Sequence, residues 1–218
     1  MKNITEIIPV IHMVNHNQVM TNVDTCITCG IEKVFLINHQ VSSEELIKCG
    51  LHVKEKYPKL WVGVNMLDKY AEDAIMYEFN FDGLWCDQTI EAHSIMDRRF
   101  TGMLFTGLAF KYQPQPKDLK DACELAKITS DVATTSGPGT GKEANIEKIL
   151  ELRNLLGNHP LAIASGVNKD NIKSYKGIAN YLLVASSITS RSEIIEADKL
   201  ITLINTLNDN IQKRRDRS

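Results

Sequence analysis

The order of elements in this sequence predicts an α/β protein, a single small (β/α)8 TIM barrel with short loops. Eight short apolar runs follow one another and are nearly continuous, as in parallel strands buried on both faces. They occupy residues 7–13, 34–37, 61–67, 83–86, 103–110, 131–135, 161–164 and 181–185. Helix-start signals separate the runs, and eight strand–helix pairs in 218 residues fit the small end of the barrel fold.

Three S/T-x-x-E capping boxes give the clearest predicted helix starts. They are Ser42 with Glu45, Thr140 with Glu143, and Ser190 with Glu193. The alternative fold is an open doubly wound sheet, which usually has fewer strands and a glycine-rich fingerprint after the first strand. Residues 11–16 lack that fingerprint, so the barrel is favoured.

The composition is that of a folded globular protein, since 43% of residues are hydrophobic and 24% are charged. A net charge of −2 leaves no positive excess for a nucleic-acid backbone, and nucleic acid is not a predicted partner. No run reaches the ~18 apolar residues of a membrane helix, so no membrane is predicted either. Five cysteines, an odd and scattered set, favour a reducing cytoplasm over a disulfide framework.

One domain is predicted, a barrel at residues 1–210, followed by a basic tail at 211–218. The tail is interpreted as a solvated end, with a partner-binding signal as the alternative. The sequence allows a homo-oligomer but does not determine the oligomeric state.

The function of a barrel of this kind is expected at the carboxyl-terminal ends of its strands. Small residues follow the seventh and eighth strands directly, and backbone amides can approach an anion closely there. The predicted phosphate-binding residues are Ser165, Gly166, Val167, Ser186 and Ser187. The alternative is a plain strand-to-helix turn with Asn168 as N-cap.

A glycine-rich segment after the sixth strand is predicted to form a ligand loop, because alternating glycines let the backbone fold around an anionic or planar group. Its predicted contact residues are Ser136, Gly137, Gly139, Thr140, Gly141 and Lys142. It is not a Walker A loop, since Ser136 replaces the first glycine and Glu143 the magnesium-binding hydroxyl. The alternative is a flexible loop that ends in a Thr140 cap.

Proton transfer is assigned to His12, Asp87 and Lys111, which follow or end apolar runs and would project into the barrel mouth. His12 could act as general base or polarise a carbonyl group. The alternatives are a snorkelling side chain for Lys111 and a helix cap for Asp87. Asn38 and Asn65, at the ends of strands two and three, are predicted to complete the pocket.

A metal site made of His12, His16, His39 and Asp87 is the alternative use of these side chains. The sequence contains no H-x-H or H-E-x-x-H motif to support it. We therefore predict no metal and no other cofactor.

Residues 131–142 and 163–172, together with residues 9–13, resemble the BtpA/SgcQ group of TIM-barrel proteins. The likeness is good from 131 to about 187 and faint between 38 and 102, so it covers about half of the chain. Members of that group are linked to thylakoid protein biogenesis and to sugar operons. The resemblance implies a TIM barrel and carries over no single reaction.

The sequence is also similar to phosphoribosylanthranilate isomerase, which has a Gly-Thr-Gly-Lys-like loop and binds phosphate at its seventh and eighth strands. That likeness implies a phosphate site in the corresponding loops of this chain. The isomerase uses a cysteine near the end of its first strand as base. His12 occupies that place here.

Together these features predict an enzyme that acts on a phosphorylated small molecule, phosphoribosyl or nucleotide-like, by acid–base chemistry of the isomerase or lyase type. The alternative is a barrel that binds a phosphometabolite or nucleotide without turnover, as a sensor, sponge or assembly factor. Short loops favour the alternative, because they close a site poorly against water.

Overall fold

Eight parallel strands close into one barrel in the computed structural model, which describes residues 4–209. Each strand pairs with its neighbour in chain order, and the eighth pairs with the first. The strands are β1 (Glu6–His12), β2 (Lys33–Ile37), β3 (Trp61–Asn65), β4 (Gly83–Cys86), β5 (Met103–Gly107), β6 (Val132–Ser136), β7 (Leu161–Ala164) and β8 (Tyr181–Val184). The predicted (β/α)8 barrel is confirmed. The predicted basic tail, 211–218, lies outside the described residues.

Helices alternate with the strands on the outside of the barrel, but their lengths differ widely. They are α1 (His16–Thr28), α2 (Ser43–Lys56), α3 (Ala71–Ala74), α4 (Leu119–Thr129), α5 (Ile146–Leu156), α6 (Ile172–Tyr175) and α7 (Ala197–Asn208), with a single 3-10 turn at Ser94–Asp97 between β4 and β5. Three of the eight connections therefore hold only four helical residues each. Within residues 4–209, none of the helices is both long and apolar enough to cross a membrane.

One of the three predicted capping boxes is confirmed. The Ser42 hydroxyl accepts from the Glu45 amide, and the Glu45 carboxylate accepts from the Ser42 amide at 3.0 Å, at the start of α2. The predicted start at Thr140 is wrong, since α5 begins at Ile146 and Asn145 caps it. Residues 140–143 belong instead to the glycine-rich loop.

The predicted helix start at Ser190 is also wrong, because α7 begins at Ala197. The Ser190 hydroxyl accepts from the amides of Ser192 and Ile194, and so closes a local turn. A serine side chain competes in this way for backbone groups outside a helix. Glu193 therefore does not serve in a helix cap, and its carboxylate contacts another side chain, described below.

The fifth strand is shorter than predicted. It ends at Gly107, and Ala109 has a φ of 47°, in the left-handed region that a strand does not use. The chain turns there, and Lys111 is placed on a loop above the barrel instead of at the end of a strand.

Aromatic side chains fill the lower part of the barrel interior. The ring of Phe35 makes edge-to-face contacts with Phe105 at 5.1 Å and with Trp61 at 5.2 Å between ring centroids. Tyr181 packs on Phe105 from the opposite wall. These rings fill the interior of the barrel, and the functional site of this fold is expected above them, at the carboxyl-terminal ends of the strands.

Candidate functional site

A cavity of about 190 Å³ opens at the carboxyl-terminal ends of the strands. Its wall includes the three predicted proton-transfer residues, His12, Asp87 and Lys111. The predicted loop residues that line it are Thr140, Gly141, Ser165, Gly166, Val167 and Ser186. The structure therefore brings together, at one mouth, residues that the sequence spreads over more than 170 positions.

Four backbone amides at the ends of β7 and β8 have no hydrogen-bond acceptor within residues 4–209. They belong to Gly166, Val167, Ser186 and Ser187. The Ser187 side chain does not line the cavity, but its hydroxyl donates to the Val167 carbonyl at 2.7 Å and so joins the two loops. We call these four amides the amide cup. Unpaired amides at a concave rim are suited to an anion.

The Ser165–Gly166 turn has an unusual backbone, with φ values of 83° and 70°. A Cβ at Gly166 would lie 2.3 Å from the backbone of Lys142, in the glycine-rich loop. Only glycine fits there without a shift of that loop. The turn of one loop is thus packed directly on the backbone of the other.

The helix that follows this turn is short. α6 has four residues and begins at Ile172, with Asn171 as the preceding residue, so Asn168 is not the N-cap of the alternative interpretation. Asn168 instead accepts from the amides of Asp170 and Asn171 with its side-chain oxygen. A helix of this length adds little dipole to an anion site, and the amide cup must act by itself.

The glycine-rich loop folds back on itself over the mouth of the cavity. A Cβ at Gly137 would lie 2.1 Å from the Lys142 carbonyl oxygen, and the Lys142 amide donates to Gly139 at 3.1 Å. Gly141 faces the amide cup, since a Cβ there would be 3.9 Å from the Ser186 hydroxyl. Of the predicted loop residues, Thr140 and Gly141 line the cavity, and the others shape the loop.

Lys111 links these loops through its side chain. Its Nζ donates to the Ser165 hydroxyl at 2.8 Å and to the Thr140 hydroxyl at 3.3 Å, so it does not snorkel to solvent. Its backbone amide donates to the buried Ser136 hydroxyl at 2.8 Å. Burial lowers the pKa of Lys111, and the charge of Asp87 opposes that effect. No carboxylate of residues 4–209 forms an ion pair with Lys111.

Asp87 lies one residue beyond β4 and is a partly buried carboxyl group of the site. Burial raises its pKa, while a hydrogen bond from the Asn65 amide at 3.1 Å and the charge of Lys111 act in the opposite direction. It does not cap a helix, because the next helical residue is Ser94. A carboxyl group with a raised pKa is suited to proton transfer nearer neutral pH.

The two predicted asparagines are both buried, and they support the site from behind. Asn65 holds Asp87, as described above. Asn38 donates to Asp68 at 2.7 Å and accepts from the Leu67 amide at 2.7 Å. Neither lines the main cavity, but Asn65 lines a smaller pocket beside Asp87, and the predicted role of the two asparagines as pocket residues stays a prediction.

His12 ends β1 and meets two side chains that the acid–base assignment did not include. Its Nδ1 lies 3.3 Å from a carboxylate oxygen of Glu193, and its ring meets the His39 ring edge-on at 4.6 Å between centroids. Burial lowers the pKa of His39, the charges of His12 and Lys111 lower it further, and Glu193 opposes them. The site therefore contains a histidine pair with one carboxylate.

His16 does not belong to this site. It lies at the start of α1 and hydrogen-bonds to His52 of α2 at 2.7 Å between ring nitrogens. The metal alternative with His12, His16, His39 and Asp87 is therefore not assembled. Nowhere in residues 4–209 do three histidine, cysteine or acidic side chains gather as a ligand set.

Several further lining residues are absent from the predicted site. Trp85 precedes Asp87 by two positions, and a side chain two positions earlier on the same strand points the same way, so alternation could have identified it. Phe110 and Tyr112 flank Lys111 on a loop whose course depends on Ala109. Glu193 carries no local signal for a place in the site, because it lies beyond the end of β8 and its only pattern was that of a helix cap.

No protein-family model matches this sequence, and a search of curated proteins gives no match. Solved structures do match over nearly the whole chain. The phosphoribosyl anthranilate isomerase of Thermus thermophilus superposes with a TM-score of 0.68 at 12% sequence identity, over 94% of this chain and 99% of that one.

Two other solved structures give similar values. The structure described as native KDPGal has a TM-score of 0.70 at 11% identity, over 94% of this chain and 96% of that chain. Thiamine phosphate pyrophosphorylase from Pyrococcus furiosus has a TM-score of 0.66 at 11% identity, over 95% of this chain and 96% of that chain. At these identities the likeness establishes a TIM-barrel fold and nothing finer.

Proposed function

We propose that this barrel binds a phosphorylated small molecule, phosphoribosyl or nucleotide-like, and converts it by acid–base chemistry of the isomerase or lyase type. One observation carries the proposal. Lys111 is a half-buried cation without a carboxylate partner in the described chain, hydrogen-bonded to Ser165 beside the amide cup. A cation in that position is stabilised when an anion enters.

The phosphate group would lie on the four amides of the amide cup, with Lys111 on one side and Gly141 above it. Backbone N–H groups and one ammonium group supply donors on several sides of a phosphate, and charge-assisted hydrogen bonds are about twice as strong as neutral ones. The hydroxyls of Ser165 and Ser186 line the same cavity and add two donors. The predicted phosphate residues therefore remain the proposed ones.

Acid–base work would fall to His12 and Asp87. Asp87 is suited to hold or release a proton because burial raises its pKa. His12 lines the same cavity from the opposite wall, beside His39. Two titratable groups in different environments allow one to donate a proton while the other accepts one.

Comparisons and composition support the proposal in a general way. Two solved proteins of this fold carry phosphorylated compounds in their names, a phosphoribosyl compound and thiamine phosphate. The resemblance to the BtpA/SgcQ group and its link to sugar operons agrees with a phosphosugar ligand. All five cysteines are unpaired, which fits a reducing compartment, and we place the protein in the cytoplasm.

Ribose 5-phosphate and inorganic phosphate are the probes for this site, measured by calorimetric titration. In Lys111→Met the affinity for both should fall by roughly tenfold or more, because a charge-assisted contact worth about 1.5–3 kcal/mol is lost. Lys59→Met, at the opposite end of the barrel, removes the same charge and should leave binding unchanged. Equal binding by the native chain and Lys111→Met would refute the site.

Binding without turnover is the second candidate, and the short connections favour it. The connections after β3, β4 and β7 hold only four helical residues each, so little chain is available to cover the cavity. A panel of phosphosugars and nucleotides distinguishes the two functions. A raised melting temperature together with product formation indicates an enzyme, and a raised melting temperature without product indicates a binding protein.

A further inference from the structure

We propose that Glu193 is the positioning residue of His12. Its carboxylate would accept the Nδ1 proton of the imidazole and so hold the ring in the tautomer whose free Nε2 can take a proton from a ligand. This inference rests on the proposed acid–base role of His12. It adds to that role a residue that the sequence suggested only as part of a helix cap.

The contact between the two side chains lies at the edge of the cavity. His12 Nδ1 and Glu193 Oε2 are 3.3 Å apart, and the two side chains are 21% and 32% exposed. His12 lines the cavity, and no group of residues 4–209 makes a hydrogen bond to its Nε2. One ring nitrogen therefore lies beside a carboxylate oxygen, and the other is left for a ligand.

The backbone of Glu193 is held in place by two amide side chains of α1. Its carbonyl oxygen accepts from Gln18 Nε2 at 2.7 Å and from Asn22 Nδ2 at 2.8 Å. Gln18 is 7% exposed and Asn22 is fully buried. Asn22 also accepts from the Ile195 amide at 2.8 Å. Three hydrogen bonds to side chains of α1 thus anchor the segment from Glu193 to Ile195.

Glu193 adopts a backbone conformation that is typical of glycine. Its φ is 57°, in the left-handed region that glycine and asparagine enter most easily. A glutamate there is strained, and strained residues of this kind cluster at functional sites. The strain has an explanation if the side-chain carboxylate of Glu193 is needed for the contact with His12, because glycine would fit the backbone conformation but has no carboxylate.

The chemistry follows from the two nitrogens of imidazole. In neutral imidazole one nitrogen carries the proton and the other accepts, and the hydrogen bond made by one nitrogen determines the role of the other. A carboxylate can only accept, so it selects the Nδ1–H form. The other groups that face His12 are the edge of the His39 ring and, across the cavity, Lys111 and Asp87.

The tautomer of His12 can be measured without a substrate, from the nitrogen-15 chemical shifts of its ring at a pH where the ring is neutral. The signals are assigned by their loss in His12→Asn. In the native protein we expect the Nδ1–H form to dominate. In Glu193→Gly we expect the Nε2–H form to gain severalfold, with a melting temperature equal to or above that of the native protein, because glycine relieves the left-handed strain.

Glu196→Gln is the matched control, since it removes the same charge three positions away, from a half-exposed side chain that pairs with Lys199. It should leave the His12 tautomer unchanged. A native His12 that is mainly Nε2–H, or an unchanged ratio in Glu193→Gly, would overturn the proposal. Failure of ribose 5-phosphate to bind would instead count against the proposed function. The tautomer measurement needs no ligand and would still test the role of Glu193.

Discussion

His12 and Glu193 share one hydrogen-bond donor, the side-chain amide of Gln18. Gln18 Nε2 donates to the His12 carbonyl at 3.1 Å and to the Glu193 carbonyl at 2.7 Å. Its Oε1 accepts from the Val14 amide at 3.2 Å. One nearly buried side chain of α1 therefore fixes the end of β1 against the loop after β8, and the two residues of the proposed pair are held in register.

The first prediction concerns this shared donor. Gln18→Leu keeps the volume of the side chain but removes the donor to the His12 carbonyl and the acceptor of the Val14 amide, which should cost about 1–3 kcal/mol of the free energy of unfolding. Denaturant unfolding measures the change. The control is Asn17→Leu, at the neighbouring exposed position, which should change stability by no more than about 0.5 kcal/mol. Equal effects in the two variants would contradict the anchoring role of Gln18.

The second prediction concerns the contact between Gly166 and the glycine-rich loop. Gly166→Ala should lower the free energy of unfolding by more than about 2 kcal/mol, since it combines left-handed strain with overlap on the Lys142 backbone. Gly30→Ala is the matched control, because Gly30 also has a positive φ, of 80°, but has no atom within 4 Å of the added Cβ. It should lose only about 1 kcal/mol. A loss in Gly166→Ala no larger than in the control would show that the two loops do not pack as described.

The third prediction concerns pH. Burial raises the pKa of Asp87 above its ordinary value of 3.8, so the folded state holds this proton more tightly than the unfolded state. The contribution of the protonated carboxyl is fully present below pH 3.8 and is lost as pH rises through the raised pKa. Asp87→Asn removes this dependence, and the variant should therefore gain stability relative to the native protein between pH 4 and pH 7, by about 1.4 kcal/mol for each pKa unit of the shift.

Denaturant unfolding of both proteins across that pH range gives the difference directly. Asp170→Asn is the control, because its exposed carboxylate forms only a surface ion pair with Lys169. The difference between that variant and the native chain should stay flat with pH. A flat difference for Asp87→Asn as well would mean that burial does not raise the pKa of this carboxyl group.

Much of the fold was predictable from the sequence because parallel strands buried on both faces give continuous apolar runs. The runs at β4 and β7 are predicted to the residue, and the remaining strands to within a few positions. Helix starts were less predictable, since the S/T-x-x-E pattern is local. At Ser42 the pattern caps a helix, whereas at Ser190 the same hydroxyl closes a turn. The surrounding loops decide between the two uses.

The candidate site was predictable only where residues directly follow a strand. Ser165 and Asp87 are of that kind, and both line the cavity. Glu193 could not be found in this way, because its place depends on side chains of α1 such as Gln18, which is 175 residues away in the sequence. Contacts between the first and last elements of a closed barrel arise only from ring closure, and no local pattern encodes them.

The most direct measurement is a crystal structure of the protein with ribose 5-phosphate bound. The account predicts that the phosphate oxygens lie about 3 Å from the amide nitrogens of Gly166, Val167, Ser186 and Ser187 and from Lys111 Nζ, with the sugar directed toward His12 and Asp87. A phosphate group bound elsewhere on the barrel, or a mouth that stays free of the ligand at saturating concentration, would contradict it.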